Sequence, residues 1–238
     1  MKIDVQFNFK NKVVLVFGGS RGIGKKTCDQ FAKAGADVYC ISRTNINLKG
    51  VKQINCDISQ EKEIDKVFEK FKKLDYVINV AGTNLCEPIE GITTKEWDRL
   101  MDVNLKSFFI ICKKSVSMMK AQKHGRIVNV SSIAGRHKSV VSGTHYTSSK
   151  YGIIGLTKQL AHEVSKYNIL VNCICPSQTR TEMLEQSMSK EQISNLEKNI
   201  PIGRISETIE QALPILFLCS DASSYITGAC IDINGGQY

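Results

Sequence analysis

The chain has 238 residues, 42% hydrophobic and 23% charged, with a formal net charge of +9. That composition suits one sizeable domain with its own core, and no stretch approaches the roughly 20 apolar residues that a bilayer span needs. The basic residues lie in small scattered clusters (KNK, GKK, KFKK) instead of a tail or an arginine-rich arm, so nucleic-acid binding is a weak reading, and attraction to an anionic cofactor or an acidic carrier fits equally.

The opening residues MKIDVQFNFKNK lack the apolar run and small-residue cleavage site of a secretory signal, so a soluble cytoplasmic protein is expected. KVVLVF reads as a strand, with a helical pattern over 22–34 after it. Between them Gly18, Gly22 and Gly24 form G-x-x-x-G-x-G. Glycines there let the backbone turn sharply and approach a pyrophosphate seated at the helix N-terminus; a plain turn joining two elements is the alternative. DVYCIS is the second strand and ends at Ser42 and Arg43, where an NAD site usually carries an acid. Two guanidinium groups, Arg21 and Arg43, with no carboxylate beside them favour a 2′-phosphate and hence NADP(H), although either arginine alone reads as a solvated surface charge. VKQIN is a third strand, and residues 44–50 before it are too few for a crossover helix, so a loop with at most one helical turn is predicted.

A charged helix over 60–72 leads to a fourth strand, DYVINV, and then to two helical stretches over 95–101 and 105–122. RIVNVS is the fifth strand, and a helical pattern covers 140–164. ILVNCI is the sixth strand. A helix over 207–220 precedes a short last strand in CIDING. The strands are runs of Val and Ile without polar alternation, as in strands buried on both faces. The fold class is therefore α/β: a single-domain Rossmann fold over 1–238, with a doubly wound parallel sheet of about seven strands and helices on both faces.

The chemistry gathers around the fifth strand and the helix that follows it. Tyr146 and Lys150 are one helical turn apart and share a face. A phenol exchanges protons poorly at neutral pH, and an ammonium beside it stabilises the phenolate and makes it a better general acid. A ketone accepting hydride needs such a proton. The strand ends in Ser131 and Ser132; the second lies further towards the ligand crevice that parallel sheets form beyond their carboxyl edge, and the first suits a turn-stabilising hydroxyl. A surface Tyr–Lys pair is the alternative. The nine cysteines are scattered with no C-x-x-C pair, which favours free thiols over disulfides or a metal site; Cys173 and Cys175 share one strand face.

The glycine loop, CDIS, NVAG, VNL, VSSIAG, YTSSK, CPSQTRTEM and YITGACIDINGG, in this order over nearly the whole chain, resemble a classical short-chain dehydrogenase/reductase. The resemblance implies a catalytic set of Asn104, Ser132, Tyr146 and Lys150. It implies cofactor contacts at Gly18, Ser20, Arg21, Gly22, Ile23 and Gly24 in the loop. Further cofactor positions are Ser42, Arg43, Asp57, Ile58, Asn79, Ala81 and Gly82, then Tyr146, Lys150, Pro176, Thr179 and Thr181. Asp57 contacts adenine in the family, Lys150 also bonds the nicotinamide ribose, and Asn104 holds a helix irregularity and a relay water. Plainer roles stay open: Asp57 and Asn104 as helix-entry residues, Asn79 as a sheet residue, Thr181 as a cap. Phe17 and Ser177 depart from the family's threonine and glycine. The threonine links the first strand to the NAG region, so that link needs a replacement.

Among family activities, the implied function is NADPH-dependent reduction of a ketone, resembling 3-oxoacyl-[acyl-carrier-protein] reductases. Lys123 and Lys166 are the candidate docking residues for an acidic carrier. A dehydrogenase of a sugar, sugar nucleotide or polyol is the competing reading, and a non-catalytic nucleotide-binding regulator a third. Substrate contacts are expected from Ser132, Tyr146, His145 and Gln178, with Ser139, Ser142 and Thr144 in a pocket wall over 135–144. Ser132 and Tyr146 stand one residue further apart than in many carrier-type reductases, and the extra residue falls in that wall. A lid is expected over 182–200, with Met183, Leu184 and Met188 packed inward. No metal is expected. The resemblance implies a homotetramer, with Phe108, Phe109, Ile153, Leu156 and Leu160 supplying apolar helix faces that either join subunits or pack on the sheet.

Overall fold

Val14, Leu15, Val16 and Phe17 are all fully buried, and this is what places β1 (Val13–Phe17) at the centre of a sheet. The computed structural model describes residues 5–139, 141–182, 184 and 189–238. Its main sheet has seven strands in the order β3-β2-β1-β4-β5-β6-β9, every neighbouring pair parallel. The others are β2 (Asp37–Ser42), β3 (Val51–Asn55), β4 (Tyr76–Asn79), β5 (Gly125–Val130), β6 (Ile169–Pro176) and β9 (Cys230–Ile233). Two short strands, β7 (Thr179–Arg180) and β8 (Ser206–Glu207), pair by themselves.

Alternation along each strand sorts the core into two layers. Leu15, Phe17, Ile41, Val77, Ile127 and Val171 face one side and pack with α2 (Glu61–Phe68), α4 (Ser107–Gln122) and α5 (Thr144–Val164). Val14, Val16, Val38, Ile78, Val128 and Ile174 face the other and pack with Cys28 and Phe31 of α1 (Gly22–Lys33) and Ile215 and Leu216 of the helix at Thr208–Cys219. In chain order this last helix is α7, after α3 (Thr94–Met101) and α6 (Lys190–Lys198). No helix among the described residues is long and apolar enough to cross a membrane. All nine cysteines are free, and only Cys86 is fully exposed.

Three boundaries differ from expectation. The charged helix stops at Phe68 instead of residue 72, because Phe71 turns to meet Tyr39 edge-on at 4.7 Å and Leu74 is held by both amide groups of Gln122. The two stretches before β5 form one helix, joined through a π turn at Asp102–Lys106. The pattern starting at 140 becomes helix only at Thr144, capped by Gly143, and Val140 lies outside the described residues. Residues 44–50 form the expected helix-free connection.

The departure at Phe17 has a structural answer. Its backbone carbonyl accepts from both Val80 N and Ala81 N at 2.9 Å, so the main chain itself ties β1 to the segment after β4. The side chain is thereby released to the core, where it stacks on Phe68 at 6.0 Å between centroids. Phe17→Ala is expected to cost about 3–5 kcal/mol in urea unfolding, with the m value unchanged; a loss under about 1 kcal/mol would contradict this packing.

Candidate active site

All seven parallel strands point their carboxyl ends to one edge, and along that edge lies a cleft of about 1320 Å³. Its two ends are built by different chemistry.

At one end β1 turns into α1. Gly18 has φ of +88°, and a Cβ there would lie 2.5 Å from the Ala81 backbone. A Cβ on Gly24 would lie 2.2 Å from Gly18 O. A side chain at Gly18 would force the turn off the segment after β4, and one at Gly24 would force the helix off the turn. The first turn of α1 contains no acid and Arg21 makes no side-chain cap, which leaves its N–H groups for an anion. Arg21 and Arg43 are exposed on the cleft, and neither is paired with a carboxylate among the described residues. Ser42 borders the cleft too, but its hydroxyl donates to Thr44 O at 2.7 Å and accepts from Gln53 Nε2 at 3.1 Å, so it fixes the loop. Ser20, Gly22, Ile23, Asp57 and Ile58 complete this end. Asp57 Oδ1 also accepts from Ser59 N and Oγ at 3.0 and 2.9 Å, so the helix-entry role and the cleft position coincide.

The other end is organised by Lys150, which is only 4% exposed. Its Nζ donates to Val130 O at 3.1 Å and lies 5.4 Å from the centre of the Tyr146 ring. No carboxylate pairs with it among the described residues, and one carbonyl leaves its other N–H donors free for a ligand. Ser131 is buried and donates to Lys150 O at 2.8 Å, locking the end of β5 to α5. Ser132 and Tyr146 both border the cleft. Ser132 Oγ accepts from Ala134 N at 3.1 Å. Ala81, Gly82, Pro176, Gln178, Thr179 and Thr181 also line the cleft. Thr181 Oγ1 accepts from Leu184 N at 3.3 Å, so it serves as a cap as well. The Oε1 of Gln178 is shielded from solvent and has no hydrogen-bond partner among the described residues.

Asn104 is fully buried in the π turn and stands one step behind the cleft. Its side chain grips the backbone of Thr83 twice: Oδ1 accepts from Thr83 N at 2.9 Å and Nδ2 donates to Thr83 O at 2.8 Å. It thereby holds residues 81–83 above Lys150. Other residues named from the sequence stand away from the cleft lining. Asn79 does not line the cleft; it donates to Asn129 Oδ1 at 2.8 Å, and Asn129 donates to Thr157 at 2.9 Å, a polar tie between the sheet and α5. Beside it, burial pushes the Cys112 thiol up to about 12, keeping it a neutral packing group. Gly24 packs behind the loop and does not touch the cleft. His145 is 1% exposed and sits against Gly143, about 100° around the helix from the cleft-facing Tyr146. Lys123 and Lys166 precede β5 and β6, at the amino edge of the sheet. β5 is 6 residues long, so they lie about 20 Å from their own cleft.

Residues not anticipated also line the cleft: Thr83, Asn84, Val141, Lys95, Asp98 and Arg99 on one face of α3, and Asp102 where the π turn begins. Their spacing of three and four was the available signal. Leu184 borders the cleft, while Met183 and Met188 lie outside the described residues. Among the described residues no cluster of three or more His, Cys, Asp or Glu is placed to hold a metal ion.

A family model described as Enoyl-(Acyl carrier protein) reductase matches residues 18–237. The 3-oxoacyl-[acyl-carrier-protein] reductase of Aquifex aeolicus is 33% identical, over 98% of this chain and 100% of that protein. The structure of a 3-oxoacyl-[acyl-carrier protein] reductase from Brucella melitensis superposes with a TM-score of 0.92 at 29% identity, covering 100% of this chain and 97% of that one. The aldohexose dehydrogenase of Thermoplasma acidophilum superposes with a TM-score of 0.89 at 29% identity, covering 96% and 94%. Because Gly24 meets Gly18 O directly, Gly24→Val is expected to weaken dinucleotide binding at least about tenfold in calorimetric titration; unchanged affinity would show that the close approach is dispensable.

Proposed function

The chain belongs to the short-chain dehydrogenase/reductase family, oxidoreductases that use a nicotinamide cofactor, and we propose that it reduces a ketone to a secondary alcohol with NADPH, its preferred substrate a 3-oxoacyl thioester. The observation that carries the reading is the meeting of Ser132, Tyr146 and the buried Lys150 at one end of a cleft whose other end bears two unpaired arginines. The residues fit the cofactor: the glycine turn leaves no Cβ in the way of a pyrophosphate, and Arg21 and Arg43 suit a 2′-phosphate.

When bound, NADPH supplies the hydride. Ser132 Oγ has its lone pair engaged by Ala134 N, which leaves its proton to donate to the substrate carbonyl oxygen. Tyr146 gives its phenolic proton to the same oxygen as it becomes an alkoxide. Lys150 places a positive charge beside the ring and stabilises the phenolate that remains. Asn104 holds residues 81–83 in place over the ammonium, and Thr179 and Thr181 border the nicotinamide end.

Lys123 and Lys166 are too distant to guide a carrier to their own cleft. An antiparallel pairing of α4 and α5 with a second copy brings them beside the partner's cleft instead, because the cleft end and the lysine end are opposite ends of α5. The helix faces suit such pairing. Phe108 and Ile153 are buried against the sheet, whereas Phe109 is 52% and Tyr151 48% exposed. This supports a homotetramer and keeps an acyl carrier among the partners; residues 182–200 remain the proposed lid. The unpartnered Gln178 Oε1 favours a second reading, oxidation of a hydroxyl-rich substrate such as a sugar or polyol, in line with the aldohexose dehydrogenase likeness.

Tyr146→Phe is expected to lower NADPH-linked ketone reduction at least about a hundredfold while leaving NADPH affinity intact; full activity would sink the proton-donor role. Arg43→Ala is expected to raise the KM for NADPH about tenfold and leave that for NADH unchanged, since one charged hydrogen bond is worth about 1.5–3 kcal/mol. Equal effects on both cofactors would argue against a 2′-phosphate site.

A further inference from the structure

Ser132 borders the cleft at the entrance of a tight turn. Its Oγ accepts from Ala134 N, inside the single 3-10 turn Ile133–Gly135. One side of that turn lies on α5: a Cβ on Gly135 would come within 2.6 Å of Ser131 Oγ and 2.7 Å of Lys150 O. The other side is held by Arg136, the residue that closes the turn. Its Nε and Nη2 each donate to one carboxylate oxygen of Asp232 at 2.9 Å, and Nη2 also donates to Cys230 O at 3.2 Å. Both partners are on β9, the edge strand of the sheet. Next along the chain, His137 stacks on Tyr238 with ring centres 4.1 Å apart at 20°. The segment from 230 to 238 thus grips the serine turn and the start of the pocket wall at two consecutive residues.

We propose that Arg136 is a positioning residue: through Asp232 and Cys230 on β9 it sets the turn that aims the Ser132 hydroxyl at the substrate oxygen. A two-pronged guanidinium–carboxylate pair fixes direction as well as distance, and a lysine cannot reproduce it. The fork is also poorly placed to be a stability device. Arg136 and Asp232 side chains are 32% and 36% exposed, and ion pairs at such exposure contribute little to folding. Its geometric consequence is therefore separable from its energetic one. A donor displaced by about 1 Å costs on the order of a hundredfold in rate, so a partial loss of aim is large beside the small loss of stability.

The inference rests on reading the cleft as a carbonyl-reduction site, and the test keeps the two apart. Arg136→Lys, Arg136→Gln and Asp232→Asn are compared with the unaltered protein for melting temperature, NADPH affinity, kcat and KM for a 3-oxoacyl thioester, and amide exchange at Ala134 and Gly135. The expected result is a kcat lowered about tenfold in all three, with NADPH affinity within about twofold and melting within a few degrees. Exchange at Ala134 should quicken in each. The double variant Arg136→Gln/Asp232→Asn should be no worse than either single change, because the two act as one unit. Unaltered kcat with unaltered exchange at Ala134 overturns the inference. So does a loss of kcat that only follows a matching loss of melting temperature or NADPH affinity. If the unaltered protein reduces no ketone, the reading of the cleft fails, and exchange at Ala134 still decides whether Arg136 holds the turn.

Discussion

The arrangement depends on one buried charge. Lys150 carries its ammonium to a place where it is 4% exposed and where a single carbonyl, Val130 O, receives it. Burying a cation without a counter-charge is costly, and the surroundings are shaped around it. β5 ends at the one carbonyl that Nζ reaches. Ser131 ties the helix backbone at Lys150 back to the strand, and the π turn presents Asn104 to hold residues 81–83 across the top. Gly82 lacks the Cβ that would sit 3.7 Å from Nζ. The result is a cation with free donors facing a cleft, and a tyrosine ring is the side chain nearest to benefit.

The far end of the cleft uses the same economy with partial charges. The first turn of α1 has no acid and no side-chain cap, so its N–H groups are spent on nothing internal. Arg21 and Arg43 stand on the rim, neither paired with a carboxylate among the described residues. Beneath the turn, Cys28 and Cys40 lie under Gly19, where a Cβ would come within 2.8 and 2.9 Å of their sulfurs. The hydrogen bond from the Cys28 thiol lowers Cys40 from the ordinary thiol value, and the same bond, with burial, raises Cys28. The loop is thus packed tightly from below and left electropositive above, which is what a dinucleotide phosphate group requires of it.

Strand content, strand direction and the Ser–Tyr–Lys grouping were legible in the sequence because each depends on local periodicity. Runs of Val and Ile mark strands buried on both faces, and a four-residue spacing marks one helix face. What periodicity does not carry is which way a face is turned. Asn79 stands in a motif that surrounds the cofactor in the family, yet its amide faces Asn129 beneath the sheet edge. His145 adjoins Tyr146 in the chain, and the helical rotation between neighbours carries it out of the cleft into the packing around Gly143. Lys123 sits next to β5 in sequence, but on the strand's amino side, so the parallel strand direction already placed it at the edge away from the cleft. The π turn that merges α3 and α4 was signalled only by the family likeness, which implies a helix irregularity at Asn104; periodicity alone splits the stretch in two, because the backbone of Thr83 that Asn104 holds is distant in sequence.

The two walls of the cleft are under different constraints, and this bears on substrate choice. The proton-transfer wall is fixed by the sheet: Val130, Ser131, Lys150 and the serine turn are all tied to β5 or β9 by hydrogen bonds. The opposite wall is formed by Asn84, by Lys95, Asp98 and Arg99 on α3, and by Asp102 at the start of the π turn, together with Leu184 of the proposed lid. Most of these are surface side chains that meet at the cleft without entering the core, so they can change without disturbing the folded frame. Between the walls stands Gln178, with a shielded acceptor awaiting a donor. A keto thioester offers no donor near its reacting carbon, and a hydroxylated substrate does. The chemistry thus belongs to the wall tied to the sheet, and the exposed polar wall with Gln178 is where substrate choice has room to vary.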